Sequence, residues 1–512
     1  MEEPVGGYHS LLAADIGAAR TKVILVELVE GRYRFVARGT APTTVGPKGV
    51  VPGLLQGLTE LEKATGRRLS SRGGLISPRD ELGAGVDAFV ACTSLPDPLR
   101  VVVAAASRDY SLKEAVRAVG NIPAAVLEWT APDGGLEAGR PRRWTGARHA
   151  VTLEDPQARL SAFAPEALVL AGGVDNSAGS GVLALAEAIS RDPGFPSGLP
   201  VIYAGDRSRR QEIAQALGPG FAFLATGNVL PQLGTPNGQH LAAALGEIYR
   251  RRKLPELPGF GPLSQWASAP VESTAEALGR GWRFLAQRYG QRVLGLDVGH
   301  RQITVGLAQA GAYRCLVTQR RTAEQKDSGS SRLSAELSAV MRGMDLPGAV
   351  DLICLSGGEV SSLPYQAAAL MALDAAEPVG LVRLALDVDS MLPQLGALAS
   401  LSPLAAGQVM ETDALLKLGT AIGVGGRARM GSTALKVEVQ FEGQPGLSLS
   451  IPFGQLEMVP LGAGQRAQMM LRPGGALDVG LGRRGQAAVA RVEGGPLGII
   501  LDCRGRPLPP SQ

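Results

Sequence analysis

One stretch of this chain occurs twice, and that repetition narrows the possible folds more than any other feature. Residues 11–39, LLAADIGAARTKVILVELVEGRYRFVARG, run through an apolar segment to Asp-x-Gly and then through two alternating segments parted at Glu30-Gly31. Residues 293–319, VLGLDVGHRQITVGLAQAGAYRCLVTQ, repeat the pattern. Asp15 matches Asp297, Gly17 matches Gly299 and Val23 matches Val305 at a constant offset of 282; after two residues are lost, Tyr33-Arg34 matches Tyr313-Arg314. The alternation predicts a three-stranded antiparallel meander in each copy, and the match between copies predicts an internal duplication.

A strand ending in Asp-x-Gly puts a carboxylate at its end, and the glycine permits a tight turn whose amides can point at an anion. Two such hairpins facing each other would clamp the phosphates of a nucleotide. Asp15 and Asp297 are then the candidate catalytic carboxylates and the candidate metal ligands, holding Mg²⁺ through water. The competing reading is a pair of ordinary hairpin turns. Glycine pairs add a second signal: ALVLAGGVD at 167–175 and VDLICLSGGEV at 350–360 each end a buried-strand run in Gly-Gly before a helical stretch. Ser356, Gly357 and Gly358 would lie against an adenine or ribose, with Glu359 as the handle for a hydroxyl. Gly172 and Gly173 read either as a similar ligand contact or as a plain strand-to-helix turn.

Composition excludes several function classes. Over 512 residues the formal charge is only +4 and 19% of residues are charged, so no strong field draws the chain to nucleic acid or to an anionic membrane. Cys92, Cys315, Cys354 and Cys503 stand far apart and form no cluster with the four histidines, which excludes a zinc ribbon. No run of 18 or more apolar residues occurs. The expectation is a soluble, reducing, cytoplasmic protein with no nucleic-acid or membrane partner. With 68 Gly, 35 Pro and 4% aromatics, tight loops around an aliphatic core are expected.

The order of these motifs resembles the actin-like ATPase superfamily, and more specifically the glutamate mutase L family. The likeness is carried by DIGAARTKV from Asp15, TGRRL from Thr65, LRVVVAA from Leu99, LVLAGGVD from Leu168 and PVIYAGDRSRR from Pro200. It continues through LGLDVG from Leu294, ICLSGGEV from Ile353, LGTAIGVGGRARMG from Leu418 and VEGGPLGIILDCRGRPL from Val492. The resemblance implies an α/β fold of duplicated actin-like (ribonuclease H-like) nucleotide-binding domains that binds ATP with Mg²⁺. It also implies a reactivating or protective chaperone for an adenosylcobalamin-dependent mutase, one of whose subunits is the partner. By the same resemblance the site takes Gly17, Thr21 and Lys22 from the first loop and Gly299 and Thr304 from the second. Ser356, Gly357, Gly358, Glu359, Gly172, Gly173 and Asp175 complete it.

Both loops depart from the family pattern. Ala18, Ala19 and Arg20 follow the first Asp-x-Gly; His300, Arg301, Gln302 and Ile303 follow the second; and TSLPDP at 93–98 stands where a glycine pair is usual. Because phosphoryl transfer depends on positioning and charge, weak or lost hydrolysis is an expectation, and the alternative function is a non-hydrolysing scaffold that binds a mutase subunit. A third reading is a small-molecule kinase with Asp175 as its carboxylate.

The domain expectation is 1–250 for the first actin-like domain, 251–291 for a hinge or crossover with a helix from Ser273 to Tyr289, and 292–432 for the second. Short alternations over 433–512 predict a C-terminal antiparallel β-domain. Residues 99–120 and 200–218 read as βα units, with Ser111 and Glu114 as a capping box.

Overall fold

The computed structural model describes residues 7–130, 163–176, 181–320, 330–344, 349–443 and 445–508. The first copy folds as β1 (Ser10–Ile16), β2 (Arg20–Val29) and β3 (Arg32–Pro42), an antiparallel meander. Helix α1 (Val51–Thr65) packs on β2 and β3, and β4 (Ala88–Thr93) returns parallel to β1. The chain then leaves this sheet and builds another from β5 (Leu99–Ala105), β6 (Ala124–Thr130), β7 (Ala167–Ala171), β8 (Leu199–Tyr203) and β9 (Phe221–Ala225). All of its pairings are parallel, in the order β9-β8-β7-β5-β6. Its strands are apolar on both faces, as a parallel sheet covered on both sides requires: Val101 and Val103 enter one core cluster, Val102 and Ala104 another. The chain rejoins the first sheet at β10 (Glu272–Ser273), parallel to β4.

Helix α2 (Thr274–Tyr289) follows at once. Ser273 caps it by accepting from the Glu276 amide at 3.2 Å. The second copy then gives β11 (Val293–Val298), β12 (Gln302–Gln309) and β13 (Ala312–Gln319), with β14 (Leu352–Ser356) parallel to β11. Asp15 lies opposite Lys22, and Asp297 lies opposite Thr304, so the two hairpins share one register. Next come β15 (Gly380–Leu386), the short helix α3 (Leu392–Leu398) and β16 (Leu416–Gly423).

The C-terminal strands are β17 (Thr433–Phe441), β18 (Leu447–Pro452), β19 (Leu456–Val459), β20 (Arg466–Pro473), β21 (Ala488–Glu493) and β22 (Ile499–Asp502). Four of them form an antiparallel sheet in the order β18-β17-β20-β21. The other two do not: β22 pairs parallel with β16 and β19 pairs with β22, extending the second large sheet to eight strands.

One core joins the two hairpin sheets. Leu11, Ile24 and Val90 of the first half share it with Val293 and Ala308 of the second, and α2 and α3 run through it. Trp282 of α2 is fully buried at its centre. A Cβ on Gly295 would lie 2.0 Å from its ring and one on Gly306 2.4 Å, so the second hairpin carries glycine where the first carries Ala13 and Ile24.

Three expectations meet a different arrangement. Residues 1–250 hold two large sheets and a two-stranded ribbon (Ser70–Ser71 with Gly74–Leu75) rather than one body, because the parallel sheet is inserted between β4 and β10. The β-strands after 433 are shared between a small sheet and the second large one. Ser111 does not begin a helix: helical residues start at Arg108, and the buried Ser111 hydroxyl bonds back to the Ser107 carbonyl. Among the described residues no helix is long and apolar enough to cross a membrane.

Candidate functional site

The two Asp-x-Gly turns converge on one cleft of about 210 Å³. Asp15 comes from the end of β1 and Asp297 from the end of β11, and both are 7% exposed. Thr274, the first residue of α2, donates its hydroxyl to Asp15 Oδ1 at 3.0 Å, and the Cys92 thiol lies 3.6 Å from the same oxygen. Burial pushes the Asp15 carboxyl above its ordinary range, against the pull of Lys22. Asp297 is pushed up to about 7, first by burial and then by the charge of Asp15; Lys22 and Ser356 oppose this. Each carboxylate therefore senses the same ammonium, and Asp15 acts on Asp297 across the cleft. Lys22 reaches over it: its Nζ comes within 3.9 Å of the point a Cβ on Gly358 would occupy.

The glycine turns close on themselves. The Gly17 amide donates to the Arg20 carbonyl at 3.1 Å and the Gly299 amide to Gln302 at 2.9 Å. These two amides are engaged in the turns, so an anion would have to be held by other donors of the loops, Lys22 and Arg20 among them. The second turn is fixed from behind. Arg320 donates from Nη1 to the Gly299 carbonyl at 2.7 Å and from Nε to Glu336 at 2.8 Å, and its amide donates to the Arg301 carbonyl at 2.7 Å. His300 Nδ1 lies 3.2 Å from Glu359 Oε1, and Arg301 lies 3.5 Å from Asp97 of the loop that leads out of the first sheet.

Gly357, Gly358 and Glu359 line the cleft from the end of β14. Gly357 has to be glycine: its φ is +97°, and a Cβ there would lie 2.4 Å from the Val298 carbonyl oxygen. Ser356 sits one step behind, fully buried beside Asp297 in the pairing of β11 with β14. Its hydroxyl donates to Asp387 Oδ2 at 2.9 Å. Asp387 is 0% exposed and also accepts from the amides of Met391 at 2.7 Å and Leu392 at 2.8 Å. Burial raises its carboxyl to about 6 in spite of these donors.

Of the residues expected from sequence, the structure brings Asp15, Gly17, Lys22, Asp297, Gly299, Gly357, Gly358 and Glu359 to the cleft wall. Thr21 and Thr304 are elsewhere. Thr21 pairs with Ile16 and so faces away from Asp15; its hydroxyl meets Thr43 at 2.9 Å. Thr304 shares the face of Asp297, but Gln302 Nε2 covers it at 3.0 Å. Gly172, Gly173 and Asp175 end a strand of the inserted sheet. There the Gly172 carbonyl accepts from the Asp206 amide, and Asp175 meets Asn228 at 3.0 Å and Arg207 at 3.5 Å. Sequence reasoning missed Thr274, Arg320 and Asp387, each placed by a neighbouring element rather than by a motif.

A divalent cation fits this donor set in one way only. Among the described residues no group of three or more His, Cys, Asp or Glu is placed to hold a metal. Protein oxygens in the cleft would come from Asp15 and Asp297, and Mg²⁺ commonly takes just one or two carboxylates alongside water and phosphate.

Two carboxylate hairpins of matching register on either side of one cleft define an α/β protein with an inserted parallel sheet. A family profile described as MutL protein matches residues 11–311, more than half of the chain, and the chain belongs to that family, glutamate mutase L. No curated protein matches it. Among solved structures it is similar to the nucleotide-free form of acetone carboxylase, with 11% identity over 88% of this chain and 82% of that one and a TM-score of 0.33. It is similar to ATP-dependent caprolactamase from Pseudomonas jessenii, with 12% identity over 86% and 81% and a TM-score of 0.33. A diol dehydratase-reactivating factor in nucleotide-free form gives 11% identity over 65% and 74% and a TM-score of 0.22.

Proposed function

We propose that this chain is an actin-like protein that binds ATP with Mg²⁺ between its two hairpin halves and serves an adenosylcobalamin-dependent mutase as a reactivating or protective chaperone. The observation that carries the nucleotide reading is the convergence of Asp15, Asp297 and Lys22 on one cleft. Lys22 would meet the phosphates, and the two aspartates would orient the water shell of the cation, which neutralises the charge of the phosphate chain. The client rests on membership of the glutamate mutase L family. Calorimetric titration with ATP, with and without Mg²⁺, tests the reading: saturable binding strengthened by Mg²⁺ is expected, and no heat at millimolar nucleotide removes it.

A second reading is favoured by the second loop, where His300 bonds Glu359 and Arg301 faces Asp97, engaging two cleft-lining side chains with carboxylates of the chain itself. In it the chain is a non-hydrolysing scaffold. It then forms a mutase complex whose stability is the same with Asp15→Ala as with the native residue, whereas the chaperone reading expects that complex to respond to ATP and to lose the response in Asp15→Ala.

A further inference from the structure

Two helices in close contact start beside the cleft strands, α2 bonded at its start to the cleft carboxylate Asp15 and α3 to Asp387, which lies behind Asp297. Helix α2 begins at Thr274, whose hydroxyl donates to Asp15 at 3.0 Å. Helix α3 begins where the amides of Met391 and Leu392 donate to Asp387, and Asp387 in turn accepts from Ser356, the strand neighbour of Asp297. The helices touch backbone to backbone: a Cβ on Gly396 would lie 1.9 Å from the Ala277 carbonyl oxygen. At this contact Arg280 Nη1 donates to the Gly396 carbonyl at 2.7 Å, and its guanidinium is held by both oxygens of Glu272 at 2.7 and 2.8 Å. Asp15 is thus bonded to the start of α2, Arg280 of α2 to Gly396 of α3, and the start of α3 through Asp387 to Ser356, the strand partner of Asp297.

A helix start needs nothing so costly as a buried carboxylate. Serine, threonine or asparagine serves as a cap, and an ion held away from water carries a desolvation penalty that these neutral caps avoid. Asp387 is 0% exposed, and one of its three donors comes from a strand of the cleft wall rather than from the helix it starts. That third bond fixes the rotamer of Ser356 beside Asp297.

We propose that Asp387 is a positioning residue of the nucleotide site, holding Asp297 through Ser356 so that the contact of α2 and α3 sets the spacing of the two cleft carboxylates. This rests on the reading of the cleft as a nucleotide clamp. Asp15 and Asp297 act together only on a cation that both can reach, so a loss of register between them shows in the Mg²⁺-dependent part of the affinity before it shows in the rest.

The test is titration of the full chain with ADP and with ATP, each in Mg²⁺ and in EDTA, for the native protein, Asp387→Asn, Ser356→Ala and Ser356→Thr, alongside thermal midpoints. The expected result is that Asp387→Asn and Ser356→Ala lower the strengthening by Mg²⁺ about tenfold. Asp387→Asn keeps its EDTA affinity within about twofold of the native value, and Ser356→Thr restores the Mg²⁺ effect. Ser356→Ala leaves both amide bonds at the start of α3 in place, so it reports even where Asp387→Asn fails to fold. Equal loss of affinity in Mg²⁺ and in EDTA, or an unchanged Mg²⁺ effect in Ser356→Ala, overturns the inference. Native protein that binds no nucleotide overturns the clamp reading itself.

Discussion

Burial raises both cleft carboxyls, but Asp297 also stands in the field of the Asp15 charge, and Lys22 and the Ser356 hydroxyl only partly pull it back down. The ordinary value for Asp297 is 3.8 and the folded value about 7. Between those values the folded chain keeps a proton that the unfolded chain has lost, so stability falls as pH rises from about 4 to about 7 and is level above that. Asp387, raised to about 6, adds to the fall in the same direction. Each tenfold change in proton affinity is worth about 1.4 kcal/mol, so Asp297 withholds a few kcal/mol at pH 8. Asp297→Asn keeps the shape and removes the charge. It is therefore expected to melt above the native protein at pH 8, with the gap narrowing toward pH 5, while losing the Mg²⁺ effect on nucleotide affinity. Scanning fluorimetry over that range checks it, and a gap that stays constant with pH would show that Asp297 ionises as easily as an exposed carboxylate.

Helix α2 shows what an element owes to residues remote from it in sequence. Trp282 fills the space left by Gly295 and Gly306, so Trp282→Ala is expected to destabilise the chain by about 3–5 kcal/mol in denaturant unfolding. A cost under about 1 kcal/mol would mean that the two hairpin sheets do not share this core. At the end of β14, Gly357→Ala adds a methyl against the Val298 backbone at a φ of +97°, with an expected cost of about 1–3 kcal/mol and a displaced cleft wall. Weakened nucleotide affinity in that variant is the second readout. The meanders and the Asp-x-Gly turns were legible because alternation and turn chemistry are local. The helix read over Ser273–Tyr289 was legible for the same reason, and it runs Thr274–Tyr289 with Ser273 as its cap. Neither the docking of Trp282 nor the roles of Arg320 and Asp387 could be read, since each depends on an element far away in sequence. Gly172-Gly173 carries the same strand-to-helix signature as Gly357-Gly358, and nothing in that signature says which sheet the strand joins. The alternation of residues 456–459 and 499–502 likewise fixes strands but not partners, and the partners turned out to lie in the second large sheet.

Each half of the molecule ends its meander in an edge strand, and each edge is covered from the other half of the chain. On β3 the Tyr33 amide donates to Gln408 Oε1 at 2.7 Å and the Phe35 amide to Asp413 Oδ2 at 3.0 Å. On β13 the Cys315 amide donates to Asn121 Oδ1 at 2.6 Å and the Val317 amide to the Gly120 carbonyl at 3.0 Å, both acceptors lying in the turn between β5 and β6 of the insert. Reciprocal cover of this kind blunts two edges that would otherwise pair with other chains, and it also straps the insert to the half that it does not grow from. The cleft, at about 210 Å³, is smaller than the roughly 300–1,000 Å³ of typical ligand sites, so on the nucleotide-clamp reading a triphosphate enters as the halves part. Separation strains the bonds at Asn121 and Gly120. Asn121→Ala removes one acceptor and leaves the Cys315 amide without it, worth about 1–3 kcal/mol against the closed form. If the strap forms equally in the empty and filled closed states, association and release of a fluorescent ATP analogue both quicken about tenfold while the equilibrium affinity holds. Stopped-flow mixing measures both rates. Unchanged rates would mean that the insert travels with the second half when the cleft opens, and that the opening runs between the insert and the first sheet instead.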